Sequence, residues 1–163
     1  MYKLLLDSDA LIKISKADFL DQVAHNFYVC ITKEVYEEAV SEGKKGFYED
    51  ADKIEKLAKT EKIKILKKKA YDKREKPKES FGRGEISIFQ AYKKNILIVT
   101  DDLSFTSYLK KENISSLSSA HLLSILFKKN KLSKSEAYYC LERLKPFIRK
   151  DVYEIIKNDL GGK

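Results

Sequence analysis

Acidic residues stand at four separated places in this chain, each beside an apolar run or inside a helical pattern: Asp7, one of Glu37 and Glu38, Glu85, and the pair Asp101-Asp102. No histidine or cysteine accompanies them. His25 and His121 sit in no nucleophile motif, and Cys30 and Cys140 have neither a nearby partner nor a C-x-x-C spacing. Triad hydrolysis and a Cys/His zinc site therefore have little support. The cysteines read as two reduced, mostly buried thiols. Gathered together, carboxylates without histidine are hard oxygen ligands suited to Mg²⁺ or Mn²⁺. Their natural use is phosphodiester hydrolysis. A divalent ion lowers the pKa of water and stabilises charge on phosphate and leaving oxygen, so no covalent nucleophile is needed.

The elements that must position these acids can be read around them. Leu4-Leu5-Leu6 is a short apolar run closing in Asp7-Ser8-Asp9, and Ile96-Leu97-Ile98-Val99 is the clearest strand, closing in Thr100-Asp101-Asp102. In an open parallel sheet the site lies beyond the carboxyl ends of the strands. Either aspartate alone is simply a helix N-cap. Two strands ending alike at one edge of the sheet create repulsion that calls for a cation. Glu85 opens a helix to about Lys94 and, at 100° per residue, faces with Ile88, Phe89 and Tyr92 toward the apolar side, where a carboxylate is costly. On the helix from Lys33 to about Ser41, the apolar face is Val35, Tyr36, Ala39 and Val40. Glu34 points away from it, while Glu37 and Glu38 flank its margins. Spacing narrows the choice to Glu37 or Glu38 and goes no further.

The rest of the chain alternates strand and helix. Leu11, Ile12, Ile14, Phe19, Leu20 and Val23 recur at helical spacing, and Phe27 to Ile31 reads as a second strand. Thr32 caps the next helix and Gly43 stops it. A charged helix follows from about Phe47 to Thr60, then a short edge strand at Ile63 to Leu66, and a polar loop from Lys67 to Ser80 containing Pro77. After Asp102 come a helix to about Lys111 and a last strand at Asn113-Ile114. The remainder, about 118–160, is helical: Ser118 caps one helix, Ser133 to Glu136 is a capping box, and Pro146 suits the first turn of the last. The expected fold is one α/β domain over 1–163, a three-layer sandwich with a mostly parallel central sheet and helices on both faces.

With these residues in hand, the chain resembles the PIN-domain family, and within it the VapC-like toxins and their archaeal and bacterial relatives. Leu-Leu-Leu-Asp7-Ser-Asp-Ala-Leu-Ile resembles the family's aspartate closing the first strand. Ile-Thr-Lys-Glu-Val-Tyr-Glu-Glu38-Ala resembles its early helical glutamate, in a register that selects Glu38 over Glu37. Gly-Arg-Gly-Glu85-Ile supplies the acid opening a later helix, and Ile-Val-Thr-Asp101-Asp102 the acid after a "VT" strand. The resemblance implies catalysis by Asp7, Glu38, Glu85 and Asp101/Asp102, with metal held by Asp7, Glu85, Asp101 and Asp102. It slightly favours Asp101 over Asp102. Thr100 is the implied supporting hydroxyl, and Asp9 a supporting residue or a plain cap.

Charge bears on the partner. The chain has 163 residues and a formal net charge of +8, which suits either a polyanion or a lysine- and glutamate-rich thermophile surface. Between Lys56 and Lys78 lie eleven basic residues, ten Lys and Arg74, against Glu61, Asp72 and Glu75. Lys67, Lys68, Lys69, Lys73 and Arg74, with Arg83 beyond them, are candidates for sequence-independent RNA contact, and Tyr71 for stacking on a base. The expectation is a metal-dependent endoribonuclease, with a toxin held by a small antitoxin protein, and a homodimer, as the setting the resemblance implies. A PIN-like nuclease of RNA processing or decay is the alternative, and a non-catalytic RNA-binding module the third reading. No apolar run reaches the roughly 18–20 residues of a bilayer crossing. The N-terminus lacks a signal-peptide pattern, so a cytoplasmic location is expected.

Overall fold

A computed structural model of the chain describes residues 2–46, 48–67, 77 and 80–161. Its centre is a five-stranded sheet, every neighbouring pair parallel, in the order β3-β2-β1-β4-β5. The strands are β1 (Lys3–Leu6), β2 (Tyr28–Ile31), β3 (Ile63–Ile65), β4 (Ile96–Val99) and β5 (Ser116–Leu117). Leu4, Leu5 and Leu6 are all buried, although successive side chains on a strand point to opposite faces. Both faces of β1 are therefore covered, as the unbroken apolar runs require of a parallel sheet between helical layers. This is the PIN-like α/β sandwich.

Ten α-helices surround the sheet among the described residues: α1 (Ser8–Lys16), α2 (Leu20–Asn26), α3 (Lys33–Tyr36), α4 (Gly43–Lys45), α5 (Glu49–Lys59), α6 (Arg83–Ala91), α7 (Leu103–Lys111), α8 (Ser119–Lys128), α9 (Lys134–Leu144) and α10 (Lys150–Gly161). α1 packs against α5, α8 and α9; α10 packs against α8 and α9; α3 packs against α6. Apolar edges drive this: Ala51, Ile54 and Leu57 of the charged α5 are buried, as are Leu122, Leu123 and Leu126 of α8. The capping box at the start of α9 forms, with the Ser133 hydroxyl accepting from the Glu136 amide and the Glu136 carboxylate from the Ser133 amide.

Several boundaries differ from the sequence reading, each for a local reason. The periodic stretch from Leu11 to Val23 is two helices, because Asp18 takes a left-handed φ of 66° after α1. Gly43 does not stop the helix begun at Lys33. The backbone passes through a π-helical stretch, Glu37–Glu42, and runs on through Gly43 to Lys45. Asn113-Ile114 is not a strand. Asn113 has φ 57°, and the Ile114 amide donates to Leu109 O at 2.8 Å, so both residues close α7, and the fifth strand comes later, at Ser116–Leu117. Pro146 lies in a separate 3₁₀ turn, Lys145–Phe147, and the last helix begins at Lys150. α6 starts at Arg83, before Glu85, and ends at Ala91.

Chain order reverses its direction across the sheet between β1 and β4: β2 and β3 lie on one side, β5 on the other. At such a switch point the crossover helices leave a crevice beyond the carboxyl ends of the two strands. Asp7 follows β1, and Asp101 follows Thr100, the first residue beyond β4.

Candidate active site

Asp7 is the most enclosed acid of the set, 3% exposed. Its amide donates to Val99 O at 3.1 Å, extending the β1–β4 ladder by one rung, and its Oδ1 accepts from the Ala10 amide at 2.7 Å as N-cap of α1. Burial pushes its carboxyl up to about 7, against the lowering effect of Thr100 and the Ala10 amide. The charges of Asp9 and Asp101 raise it further. Asp7 and Asp101 are thus electrostatically coupled across the crevice.

The two neighbouring aspartates at the end of β4 divide their work. Asp102 is the N-cap of α7: its Oδ1 accepts from the Phe105 amide at 2.6 Å and from the Ser104 hydroxyl at 2.7 Å. The Phe105 amide holds its carboxyl below the usual range. Asp101 turns elsewhere. Its side chain is 8% exposed, and Oδ1 accepts from the Ser119 amide at the start of α8, 2.9 Å away. Its Oδ2 is buried and accepts no hydrogen bond from any described residue, although the Lys13 ammonium stands 3.7 Å off. Thr100 is buried, and its hydroxyl accepts from the Asp102 amide at 3.2 Å, bracing the turn.

The glutamates of the α3 segment also separate. Glu37 faces outward into ion pairs with Arg83 (3.0 Å) and Lys33 (3.4 Å). Glu38, half-buried, turns toward the end of β1, where the Ser8 hydroxyl donates to its Oε2 at 2.8 Å. Its carboxylate also lies against α6: a Cβ built on Gly84 would stand 2.7 Å from Glu38 Oε2. Glu85 is half-buried rather than sealed under the apolar face expected for it. Its carboxylate lies back over Gly82, where a Cβ would meet Oε2 at 2.6 Å. Glycine at 82 and 84 therefore makes room for two carboxylates, where any side chain would displace them. α3 and α6 are tied at their first turns by a buried chain. The Thr32 hydroxyl, accepting from the Val35 amide, bonds Ser87 Oγ at 2.6 Å, and Ser87 donates to Gly84 O at 2.7 Å.

Other residues singled out in the sequence lie apart from this cluster. Asp9 is exposed and pairs with Lys13 at 2.6 Å, one helical turn on. Arg83 is committed to Glu37, and Lys67 is exposed beyond β3. Lys68, Lys69, Tyr71, Lys73 and Arg74 lie outside the described residues. Three participants carried no functional reading in the sequence: Ser8, Ser87 and Lys13. Only Lys13 had a local signal, its i,i+4 spacing from Asp9.

A parallel sheet with acids beyond the carboxyl ends of two adjacent strands, at the switch point, places them where open α/β sheets bind their ligands. A family model described as a PIN domain matches residues 3–160, and the chain belongs to the PIN-domain family. PIN domains are generally nucleases and typically use divalent metal ions. No curated protein and no solved structure matches the chain significantly.

The residues fit such an ion in two respects. Asp101 Oδ2 is a buried carboxylate oxygen lacking a hydrogen-bond donor among the described residues, and Asp7 is a carboxyl whose ionised form burial disfavours, an effect that a cation would offset. The donor set is oxygen only, as Mg²⁺ and Mn²⁺ prefer. Among the described residues no three of His, Cys, Asp and Glu are grouped tightly enough to hold an ion as they stand. An ion that keeps several of its waters, as Mg²⁺ does, needs only one or two carboxylates, which Asp7 and Asp101 would supply. No helix among the described residues is long and apolar enough to cross a membrane.

Proposed function

We propose that this protein is an endoribonuclease in which Asp7 and Asp101 hold Mg²⁺ or Mn²⁺ at the β1–β4 crevice, assisted by Glu38 and Glu85. The observation that carries this reading is the pairing of a carboxyl raised to about 7 with a buried, donor-less carboxylate oxygen at the switch point of the sheet. Mutual repulsion and burial both penalise this arrangement unless a cation is shared. When bound, the ion would supply Lewis acidity and lower the pKa of water for attack on phosphate. Asp7 and Asp101 orient it. Ser8 keeps the Glu38 carboxylate turned toward the crevice, from where Glu38 or Glu85 can accept the proton of the attacking water. Asp102 serves mainly as the cap of α7.

RNA is favoured as substrate by the net charge of +8 and by the basic stretch from Lys56 to Lys78. A VapC-like toxin, dimeric and restrained by a small antitoxin, is the setting the family resemblance suggests; a nuclease of RNA processing or decay is the alternative.

Cleavage of a mixed RNA pool tests the reading, with wild type and Asp7→Asn compared in Mg²⁺, Mn²⁺ and EDTA. Metal-dependent cutting by wild type that vanishes in Asp7→Asn is expected. Equal activity of the two proteins, or an inert wild type, would overturn the mechanism.

A further inference from the structure

A cleft of about 490 Å³ opens beside Asp101, on the β5 side of the crevice. It shares Lys13, Thr100 and Asp101 with the acid cluster, and none of its described lining comes from α3 or α6. Whatever fills it therefore lies directly beside the reacting centre, on the flank away from Glu38 and Glu85. The size is that of small-ligand sites.

Its walls combine two chemistries. Leu103, in the first turn of α7, and Phe147, in the 3₁₀ turn, both line it and are 59% and 39% exposed. Val152 extends the apolar wall from the first turn of α10. Polar groups stand among them: Ser118, His121 and Arg149. The Ser118 hydroxyl accepts from the His121 amide at 3.2 Å and lies 2.7 Å from His121 Nδ1. The contact leaves His121 Nε2 as the ring nitrogen not engaged by Ser118.

A simple anion has no use for the exposed apolar wall, and a purely apolar ligand gains nothing beside Asp101 and Arg149, whose guanidinium is paired with Asp151 at two points. A nucleobase carried on a phosphodiester satisfies both, with a π-face to stack, a polar edge and an anionic link. We propose that this cleft binds the nucleobase next to the scissile phosphate, stacked on Phe147, so that base preference is set between Phe147, Leu103 and the Ser118–His121 pair. Describing the neighbouring phosphate as scissile rests on the ribonuclease reading; base binding itself does not.

The test titrates the full-length, metal-free protein with AMP, GMP, CMP, UMP and ribose 5-phosphate, followed by amide chemical shifts. At least one nucleotide should bind more tightly than ribose 5-phosphate, with shifts centred on Ser118, His121 and Phe147. Phe147→Ala should lose about five-fold or more of that preference, as removal of a base-stacking ring does, and Phe147→Tyr should keep it. Leu103→Ser, at a more exposed position, gives a second variant if Phe147→Ala does not fold. Equal binding of nucleotides and ribose 5-phosphate, shifts elsewhere on the surface, or a preference untouched by these variants would overturn the subsite. RNA cutting without base-selective nucleotide binding sinks the subsite alone. Selective nucleotide binding by a protein inert with every metal sinks the nuclease and leaves the subsite standing.

Discussion

The Lys13 ammonium stands 3.7 Å from Asp101 Oδ2, a buried oxygen with no hydrogen-bond donor among the described residues, while Asp9 holds the same ammonium at 2.6 Å. Lys13 therefore offsets the Asp101 charge from a distance without ligating it. The arrangement places a positive charge near the carboxylate without closing off that oxygen.

Replacing that ammonium by an apolar chain of similar length tests this role. Lys13→Met should destabilise the metal-free protein by about 1–3 kcal/mol, because a buried carboxylate loses its partner. Mn²⁺ should recover most of the loss, and the variant should bind Mn²⁺ more tightly than wild type. Thermal melts and calorimetric titration measure both. An unchanged Mn²⁺ affinity would mean that Lys13 does not compete with an ion for Asp101.

Asp7 gives stability a pH dependence of defined sign. Its folded-state carboxyl lies near 7, against 3.8 for an ordinary aspartate, so the folded chain holds its proton more tightly than the unfolded chain. Stability from this group is complete below about pH 4 and falls as pH rises to about 7, by at most about 4 kcal/mol. Asp7→Asn keeps an acceptor for the Ala10 amide and removes the titration. In metal-free buffer at pH 8 the variant should melt above wild type, and at pH 4 the difference should shrink. Denaturant melts across that range decide it.

Gly84→Ala separates stability from function. Alanine favours the helix over glycine by up to about 1 kcal/mol, but its Cβ would press on Glu38 Oε2. The carboxylate is the end of a flexible side chain, so the fold should keep or gain melting temperature while RNA cleavage falls about ten-fold or more. Undiminished cleavage would remove Glu38 from the mechanism.

The neighbouring aspartates should respond in opposite ways. Asp101→Asn should abolish metal-dependent cleavage with little loss of stability. Asp102→Ala should cost about 0.5–2 kcal/mol as a lost N-cap, and Asp102→Asn should retain most cleavage. Parallel melts and cleavage assays on the three variants check the division.

Thr32→Val removes the first link of the chain Thr32–Ser87–Gly84, together with the cap of α3. A loss of about 1–3 kcal/mol is expected by denaturant unfolding. A neutral effect would show that α3 and α6 are held together by apolar packing alone.

What could be read from the sequence was what depends on a few consecutive residues. Apolar runs marked β1 and β4, the capping box marked the start of α9, and the strand–helix alternation marked a layered α/β sandwich, because period and cap chemistry act within about one turn. The choices that needed tertiary structure involve residues far apart in the chain. Glu38 turns toward Ser8, 30 positions away, and Glu37 toward Arg83, 46 away; Asp101 meets the Ser119 amide 18 residues on. The displaced fifth strand shows the same limit in backbone form. Asn113-Ile114 stands where the alternation calls for a strand, but the Ile114 amide is drawn back to the end of α7, and pairing with β4 begins only at Ser116. Local pattern placed the acids at the ends of their elements. Which carboxylate oxygens were spent on helix caps and which were left without a hydrogen-bond donor was decided by the partners that the fold brought to them.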